Sequence, residues 1–591
     1  MKKIFLIISL LFAVTNLMAE PIGEKRAREI ATEFLSQKMT RATISNLQLE
    51  WAGNDIVNIT RAGSDLDNSL MYIYNSAESK SFVIVGGDTN ADFVLAYSLN
   101  NTFDMENMAD GAKDILSAWC RQIEDARKDN KPINIARQST RTNDALLYET
   151  VKWDQSEPYN REAPIINGER SLTGCAATAM AIICHYNKWP NNGVGTTPEY
   201  TYTVVSGNNE QTYYVPANEL GRTYEYDKMI ACYDYENRNY TEEQANAVAA
   251  LMKDMGTSIK MNYHPNSSGT ISPNVVYAFG KYFGYSKNTL LAHGEHYTHD
   301  EWANILRENL RNYGPTFFCG QEPNGGHAFV LDGYDEDLRF SFNFGWSGWN
   351  NGYYYLPHVK YYDDQEAILY LKPETENTSQ YRDNIGLHVV YLENELFRAG
   401  IQWDMDYTTN KLTCWLGGFA NYGATTFNGT IKLVLCDKNG DWKEELLSND
   451  FTIEPGSYTY YTYAQICYIS TSLSKGDRLR VYYKGESSDE WQWARSSDRE
   501  LVVDEALLVA SPEDLAEGLS LGYDKTSETL YFKNKHNMKI VIYRLDNGTY
   551  TLRGEGYYLA KNEDEIEISS GKTYKIEISL GSDPYELILK L

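Results

Sequence analysis

Cysteine is scarce in this chain, and its spacing excludes several classes of site. The 591 residues contain eight cysteines, and no two of them form a Cys-x-x-Cys pair. The sequence therefore has no spacing typical of a zinc site, and we expect no metal and no other cofactor. A dense disulfide framework is not expected at this length, whereas one or two disulfide bridges stay open.

Basic residues are also few. Lys and Arg number 54 against 81 Asp and Glu, which gives a formal net charge of −27. Proteins that hold a phosphate backbone need clustered Lys and Arg, and no long basic block occurs here. The composition therefore argues against nucleic acid as a partner. An acidic balance of this kind more often reflects solubility.

Long apolar runs are limited to the start of the chain. Two lysines follow Met1, an apolar run extends from Ile4 to Val14, and small residues follow near Ala19. This pattern predicts a signal peptide at residues 1–19 and a secreted protein, without a cysteine at the cleavage point that a lipid anchor would need. No later stretch reaches about 18 consecutive apolar residues, so we expect no transmembrane segment.

The length predicts about three to five domains. Residues 20–143 form a first unit, in which helical spacing near the start, a hairpin of β-rich strands over 70–88 and a second helix over 115–126 are predicted. Residues 128–143 are polar and basic, with few apolar side chains. Such a segment is either a site of proteolytic nicking or an ordinary tether between domains, and both interpretations stay open.

The last third of the chain has a different pattern. From about residue 373, short segments of alternating or β-branched residues are separated by Asn-Gly, Lys-Gly and Ser-Ser turns. We predict a β-sandwich over 376–505 and a smaller β domain over 506–591. The aromatic side chains of these strands are explained by core packing.

The chemistry is concentrated in residues 144–375, around Cys175. Gly174 and Cys175 open a run of small and apolar residues with helical character. The unpaired N–H groups and the positive dipole end of a helix stabilise a thiolate, so this position favours a nucleophile. The alternative is a buried cysteine that only packs, which is the commoner role of a free cysteine.

Three further segments carry residues that suit acyl transfer. Gln155 could donate its amide N–H to an oxyanion, or be an ordinary loop glutamine. His327 stands at the start of an apolar strand and could act as a base to a thiol, or be structural. Beyond it, Asn343 offers an acceptor for the imidazole and Trp346 offers a wall against water. The glycine-rich loop there lacks a Gly-Lys-Ser pattern, which excludes a phosphate loop.

Between these segments the sequence predicts core helices. Thr241 to Gln244 fits a capping box that begins a helix reaching toward Gly256, and a second helix carries Val275 and Phe279. The intervening turn contains Ser268 and Gly269. These two residues could bind substrate backbone, or form a plain turn.

Together the four motifs resemble the streptopain family of bacterial cysteine peptidases. The motifs are Trp-Asp-Gln-x-x-Pro-Tyr-Asn from residue 153, Thr-Gly-Cys-Ala-Ala-Thr-Ala-Met-Ala from 173, Gly-Gly-His-Ala-Phe-Val-Leu-Asp-Gly-Tyr from 325 and Asn-Phe-Gly-Trp-Ser-Gly from 343. Their order and spacing match those of the family. Residues 82–89 and 94–98 also resemble its inhibitory prosegment, so the resemblance extends over about residues 20–375.

The resemblance implies a papain-like two-lobed catalytic domain over 144–375 and an α+β inhibitory propeptide over 20–143. With the C-terminal β-sandwich domains predicted from the strand pattern, the expected fold class of the chain is α+β. It implies that Cys175 is the nucleophile, that His327 is the base that later protonates the leaving amine, and that Gln155 is an oxyanion-hole donor. The propeptide would be released near residues 137–143. The family's usual Asn-Trp-Gly-Trp is Asn-Phe-Gly-Trp in this sequence, which leaves open the group that orients His327.

For substrate binding, the resemblance suggests an apolar residue two places before the cleaved bond. Ser268, Gly269 and Gly326 are candidates to bind substrate backbone. The expected partners are protein or peptide substrates and the chain's own propeptide.

Two function classes follow from the sequence. One is a secreted cysteine endopeptidase made as a zymogen, and the other is a non-enzymatic surface binding or adhesion protein on a degenerate peptidase scaffold. The joint presence of Cys175, His327 and Gln155 favours the enzyme, because a binding scaffold needs none of the three.

Overall fold

A computed structural model describes most of the chain. In its first part it describes residues 19–375, with gaps at 40–46, 57–65, 92, 137–143, 207–208, 234–237 and 323–324. From 383 it describes shorter segments up to 590. Their gaps are 388–389, 393–394, 398–399, 407–410, 460–464, 472–476, 497–504, 507–518, 525–528, 535–537, 547–548, 559–562, 568–571 and 580–584. The predicted signal peptide and the predicted release segment near 137–143 lie outside the described residues.

The N-terminal region is a four-stranded antiparallel sheet with two helices. Its elements are α1 (Gly23–Lys38), β1 (Gln48–Gly53), β2 (Met71–Ser76), β3 (Ser81–Gly86), β4 (Val94–Ser98) and α2 (Asp110–Asp129). The predicted hairpin is confirmed as β2 and β3, which pair antiparallel. The predicted second helix is confirmed as α2, whose apolar side is buried from Gly111 to Ala126.

The next region combines four helices with a mainly antiparallel set of strands. Its elements are β5 (Leu146–Leu147), β6 (Ile165–Ile166), β7 (Glu169–Arg170), α3 (Cys175–Asn187), β8 (Thr196–Thr197), β9 (Tyr200–Ser206), β10 (Asn209–Val215), β11 (Asn218–Glu219), α4 (Glu242–Ser258), α5 (Ser272–Tyr282), β12 (Leu290–His293), α6 (His299–Tyr313), β13 (Thr316–Glu322), β14 (Gly325–Tyr334), β15 (Phe340–Asn343), β16 (Gly352–Tyr354) and β17 (Asp363–Leu369).

One sheet runs through both regions. Its strand order is β1-β2-β3-β4-β16-β15-β14-β13-β17-β12, and β5 also pairs with β14. The two regions join where β4 pairs with β16, with Tyr97 opposite Tyr353 and Ala96 opposite Tyr354. A shared core lies beneath the junction, where Trp119 of α2 stacks on Tyr354 at 6.1 Å between ring centroids. The N-terminal region therefore extends the sheet of the following region.

Local sequence signals explain the helix starts. The predicted capping box is confirmed: Thr241 accepts a hydrogen bond from the Gln244 backbone N–H at the start of α4, and the Gln244 side chain accepts from the Thr241 N–H. Thr298 and Glu301 form a second box at α6. Helix α3 differs because it is buried on almost every side, from Ala176 to Cys184. This is expected of a helix that is apolar all round.

The C-terminal third is built of strands. Residues up to 376 and residues from 377 form two separate compact units. The strands of the second unit are β18 (Ile385–Leu387), β19 (Val390–Leu392), β20 (Glu395–Phe397), β21 (Gly400–Asp406), β22 (Lys411–Gly417), β23 (Phe419–Asn421), β24 (Phe427–Cys436), β25 (Trp442–Ile453), β26 (Gln465–Tyr468), β27 (Arg478–Gly485), β28 (Gln492–Trp493), β29 (Arg495–Ser496), β30 (Glu505–Ala506), β31 (Leu519–Asp524), β32 (Thr529–Asn534), β33 (Met538–Asp546), β34 (Thr549–Tyr558), β35 (Glu563–Glu567), β36 (Thr573–Ser579) and β37 (Tyr585–Lys590).

Two of these C-terminal sheets share one core. The sheet β23-β18-β29 contributes Leu387 and Phe419, and the five-stranded sheet around β24 and β27 contributes Leu433 and Val481. Two sheets packed over a common core are the arrangement of a β-sandwich, as the sequence predicts.

Neither a membrane span nor a metal cluster is found among the described residues. No helix there has the length and apolar character needed to cross a membrane. No group of three or more His, Cys, Asp or Glu side chains in the same part of the chain is arranged to hold a metal ion.

Candidate active site

Cys175 is the first residue of α3, and the residue as a whole is partly exposed. Gly174 before it has a φ of +90°, a conformation that residues with a side chain rarely adopt. A Cβ added to Gly174 would lie 2.5 Å from Met261 Cε and 3.2 Å from the Ser268 carbonyl oxygen. The glycine therefore lets the chain turn sharply into the helix while the neighbouring loop packs against it. This turn sets the thiol beside the first N–H groups of α3.

His327 lies near the start of β14 and is almost fully buried. Its Nε2 atom is 2.9 Å from the main-chain carbonyl oxygen of Phe344, to which it donates a hydrogen bond. Since Nε2 is used in this way, Nδ1 is the ring nitrogen left to face the Cys175 thiol. The thiol and the imidazole interact through a hydrogen bond and through their charges.

The pKa values of the two side chains move toward each other. Burial raises the pKa of Cys175, but His327 and the backbone N–H groups of Ala328 and Ala176 outweigh it, so the pKa lies below its usual value. Burial lowers the pKa of His327, but Cys175, the Phe344 carbonyl and Asp110 raise it to about 9. These directions favour a thiolate and an imidazolium near neutral pH.

The sequence offers the Asn343 side chain as an acceptor for the imidazole and leaves open the group that orients His327, but in the structure this side-chain amide has other partners. Asn343 donates through Nδ2 to Thr150 Oγ1 and the Val151 carbonyl, each at 2.9 Å. Its Oδ1 accepts from the Gly345 N–H and from the Asn351 side chain. The amide thus ties together the ends of the loop. The group that holds His327 is a main-chain carbonyl, and a main-chain carbonyl has no signature in the sequence.

The aromatic residues beside this loop form a wall around His327. The Trp346 ring is nearly parallel to the imidazole, at 15° and 6.4 Å between centroids. Phe344 is fully buried. It packs at 5.2 Å from Phe329 and at 5.5 Å from Tyr354, between ring centroids. The phenyl ring in place of an indole therefore fills a closed aromatic core, while the backbone of the same residue contacts His327.

Gln155 lies next to the turn that leads into α3. Its carbonyl accepts the Thr173 N–H at 3.0 Å, and its side chain is buried. Asp154 accepts the N–H groups of Gln155 and Ser156 through Oδ1, and the Ser347 hydroxyl through Oδ2 at 2.8 Å. Asp154 thereby links the Gln155 loop to the Trp346 loop. The sequence analysis did not assign this role, although the residue lies inside the first motif.

The three predicted substrate-binding residues differ in what they can offer. Ser268 Oγ bonds within its own loop and to the Leu172 carbonyl, so it supports the loop. Gly269 uses both its N–H and its carbonyl in hydrogen bonds with Asn262. Its predicted pairing with substrate backbone therefore does not fit this structure. Gly326 is exposed at the start of β14, opposite Gln321 of β13.

The N-terminal region contacts this site directly. A Cβ added to Gly111, in the first turn of α2, would lie 2.9 Å from both His327 Cδ2 and Phe344 Cδ1. The Ala109 N–H donates to Asn350 Oδ1 at 2.8 Å. The Asn101 side chain donates to the Gly348 carbonyl at 2.7 Å. Segment 101–111 therefore holds the loop that carries Phe344 and Trp346.

Comparisons with known proteins agree with this arrangement. The model of the peptidase C10 family matches residues 153–354. The model of the Spi protease inhibitor matches residues 19–123. The second match covers the N-terminal region, including the segment packed against His327.

Individual relatives match more than half of the chain. Streptopain from Streptococcus pyogenes is 30% identical over 354 residues, which cover 56% of this chain and 84% of streptopain. The thiol protease/hemagglutinin PrtT from Porphyromonas gingivalis is 29% identical over 402 residues, and the match spans 44% of that protein. Among solved structures, prointerpain A from Prevotella intermedia is 27% identical, with a TM-score of 0.45, over 55% of this chain and 98% of that one.

Proposed function

Because the chain belongs to the peptidase C10 family, the family of streptopain, we propose that it is a secreted cysteine endopeptidase made as an inactive precursor. The observation that carries the proposal is the pairing of Cys175, at the N-terminus of α3, with His327, whose other ring nitrogen is held by the Phe344 carbonyl. A thiolate beside an imidazolium is the arrangement that nucleophilic cysteine catalysis requires.

The proposed reaction follows from these positions. The Cys175 thiolate attacks the carbonyl carbon of a peptide bond and forms a tetrahedral oxyanion. The Cys175 backbone N–H and the Gln155 side-chain amide stabilise that oxyanion. When the intermediate collapses, the departing amine takes a proton from His327 and leaves a thioester. Water, deprotonated by His327, then hydrolyses the thioester and restores the thiol.

The remaining groups position these atoms. The bond from His327 Nε2 to the Phe344 carbonyl fixes the ring so that Nδ1 faces the sulfur. Trp346 limits access of water to the ion pair. Asp154 and Asn343 hold the two loops on which Gln155 and Phe344 lie.

A simple assay tests this function. The purified chain, incubated under reducing conditions, is expected to hydrolyse casein and to lose its first ~140 residues. Iodoacetamide is expected to abolish both reactions, because it alkylates the reactive thiolate first. Casein hydrolysis that is unaffected by iodoacetamide, or no hydrolysis at all, contradicts the proposal. In the second case the alternative, a non-enzymatic binding or adhesion protein, is favoured.

We further propose that the N-terminal region inhibits the enzyme through the start of α2. A replacement of Gly111 by Ala would place a methyl group 2.9 Å from both His327 Cδ2 and Phe344 Cδ1, closer than ordinary van der Waals contact. Overpacking of this kind costs about 1–3 kcal/mol. We therefore expect full-length Gly111→Ala to become active on casein after a lag that is at most about one fifth of the lag of the unmodified chain. This effect is expected although Ala is the better helix former.

The control for this variant is Glu124→Ala on the exposed side of the same helix. This variant is expected to keep the lag of the unmodified chain. An unchanged lag for Gly111→Ala, in a protein whose thermal unfolding is normal, contradicts inhibition through this contact.

A further inference from the structure

A row of paired residues crosses the sheet beside Cys175 and His327, and most of their side chains are polar. Ala328 of β14 is paired with Cys319 of β13, Cys319 with Glu366 of β17, and Glu366 with His293 of β12. Neighbouring strands lie about 4.8 Å apart, so the Glu366 backbone is about 10 Å from that of Ala328. The Ala328 N–H is a hydrogen-bond donor to the Cys175 thiol. The row therefore begins at the reacting sulfur and leads to a carboxyl group.

Two residues of this row, Cys319 and Glu366, form one cluster with Ser272, and we call these three residues the acidic pocket. Ser272, the first residue of α5, has its Oγ 3.3 Å from Cys319 Sγ. Cys319 Sγ in turn donates to Glu366 Oε2 at 3.3 Å. The acidic pocket thus joins the helical half of the site to its sheet, close to the point where Cys175 faces His327. The charge on Cys175 also acts on Cys319.

The acidic pocket is accessible from outside. The Glu366 side chain is 18% exposed, and Cys319 and Ser272 are also partly exposed. Ile271, beside Ser272, is 60% exposed. A side chain that approaches Ser272 from outside would therefore meet the exposed Ile271 first and the partly exposed Glu366 carboxylate next.

The carboxyl of Glu366 lacks a nearby Lys or Arg among the described ion pairs. Its Oε1 atom lies 3.3 Å from His293 Nδ1. Burial raises the pKa of Glu366 to about 7, against the opposing effect of the hydrogen bonds from Ser272 and Cys319. Asp364 on the same strand adds to this rise. A cation placed in the pocket would offset the burial of the carboxylate through a charge-assisted hydrogen bond.

We propose that the acidic pocket receives the Arg or Lys side chain of a substrate at the residue two places before the cleaved bond, which makes Glu366 a specificity-determining residue. The inference rests on the proposed peptidase function. An extended peptide rises about 3.3 Å per residue, so this residue lies 6 to 7 Å from the attacked carbonyl, within reach of the pocket. The proposal differs from the apolar preference that the sequence resemblance suggests at this position.

The test uses three fluorogenic peptides that differ only in the position of one Arg, placed one, two or three residues before the cleaved bond, and a fourth with Leu at the second place. The full chain, after it has processed itself, is expected to cleave the peptide with Arg at the second place with at least tenfold higher kcat/KM than the Leu peptide. Glu366→Gln is expected to lower kcat/KM for that Arg peptide by about tenfold to a hundredfold. It should leave the Leu peptide within about twofold.

Glu308→Gln, the same chemical change on the exposed side of α6, is the matched control and should change neither value. A second measurement uses the unmodified chain alone, so its result does not depend on whether a variant folds. For this chain we divide kcat/KM for the peptide with Arg at the second place by kcat/KM for the Leu peptide. This ratio is expected to rise as the pH increases through about 7, because Glu366 then loses its proton. The groups that face Glu366, namely His293, Cys319 and Asp364, are the same for both peptides, so the ratio isolates the substrate charge.

The outcomes separate the two proposals. Cleavage of no peptide contradicts the peptidase function itself. Cleavage of the Leu peptide in preference to the Arg peptide, a preference for Arg at another place, or an equal loss on both peptides in a folded Glu366→Gln protein contradicts the role of the acidic pocket.

Discussion

Replacing Cys175 by Ala is expected to reduce casein hydrolysis by at least about 10⁴-fold, because the group that forms the thioester is removed. The same variant should keep its first ~140 residues when incubated under reducing conditions, and should remain a full-length band for hours. Helix α3 should still form, since alanine is the best helix former and the Gly174 turn is unchanged. The measurement combines the initial rate of casein hydrolysis with gel analysis of the incubated chain.

Cys184→Ala is the matched control. Cys184 lies on the same helix, nine residues further, and is fully buried beside the Tyr285 hydroxyl. Burial raises the pKa of its thiol to about 12, so it is not a nucleophile at neutral pH. We expect Cys184→Ala to lower stability slightly and to keep activity. Equal activity of the two variants would show that Cys175 has no special role.

Replacing His327 by Ala is expected to lower kcat for peptide hydrolysis by about 10³-fold or more, since the proton donor and acceptor is lost. It should also change the state of the thiol. The hydrogen bond and the charge of His327 are the main groups that oppose burial in lowering the pKa of Cys175. Without them burial dominates, and the pKa of the thiol should rise above its usual value.

The rate of alkylation of Cys175 against pH measures this change. In the unmodified chain the thiolate exists below the ordinary range of a thiol, and the imidazolium persists up to a pKa of about 9. Alkylation should therefore be fast near neutral pH. In His327→Ala it should become slow there and rise only in alkaline solution. A profile that does not move, in a variant with normal thermal unfolding, contradicts the ion pair.

The sequence predicts the pairing of Cys175 with His327, which we propose to be catalytic, but it predicts only some of the groups that hold this pair in place. Cys175 and His327 can be identified because each lies in a long motif. In addition, glycine and apolar patterns indicate that a helix begins at Cys175 and that a strand begins near His327. The role of the Phe344 carbonyl cannot be predicted from the sequence, because every residue carries the same main-chain oxygen. By its residue type Asn343 is a candidate acceptor for His327, whereas its amide is already hydrogen-bonded to Thr150, Val151, Gly345 and Asn351.

Contacts between segments that are distant in sequence also cannot be predicted from the pattern of apolar and polar residues. The sequence gives no sign that β4 pairs with β16, or that Gly111 lies against His327, because the two members of each contact are more than 200 residues apart. The acidic pocket depends on the register of β12, β17, β13 and β14, which is set by tertiary packing. The hairpin β2–β3 and the capping box of α4 were predicted correctly because their partners are close in sequence.

Detection of the acyl intermediate tests the central claim most directly. The processed chain is mixed with a peptide ester, quenched in acid within milliseconds to seconds, digested and analysed by fragmentation mass spectrometry. The account predicts an adduct with the mass of the acyl group on Cys175, which hydroxylamine removes and which is absent from Cys175→Ala. Turnover of the ester without any adduct on Cys175, or with the adduct on another cysteine such as Cys319, would contradict it.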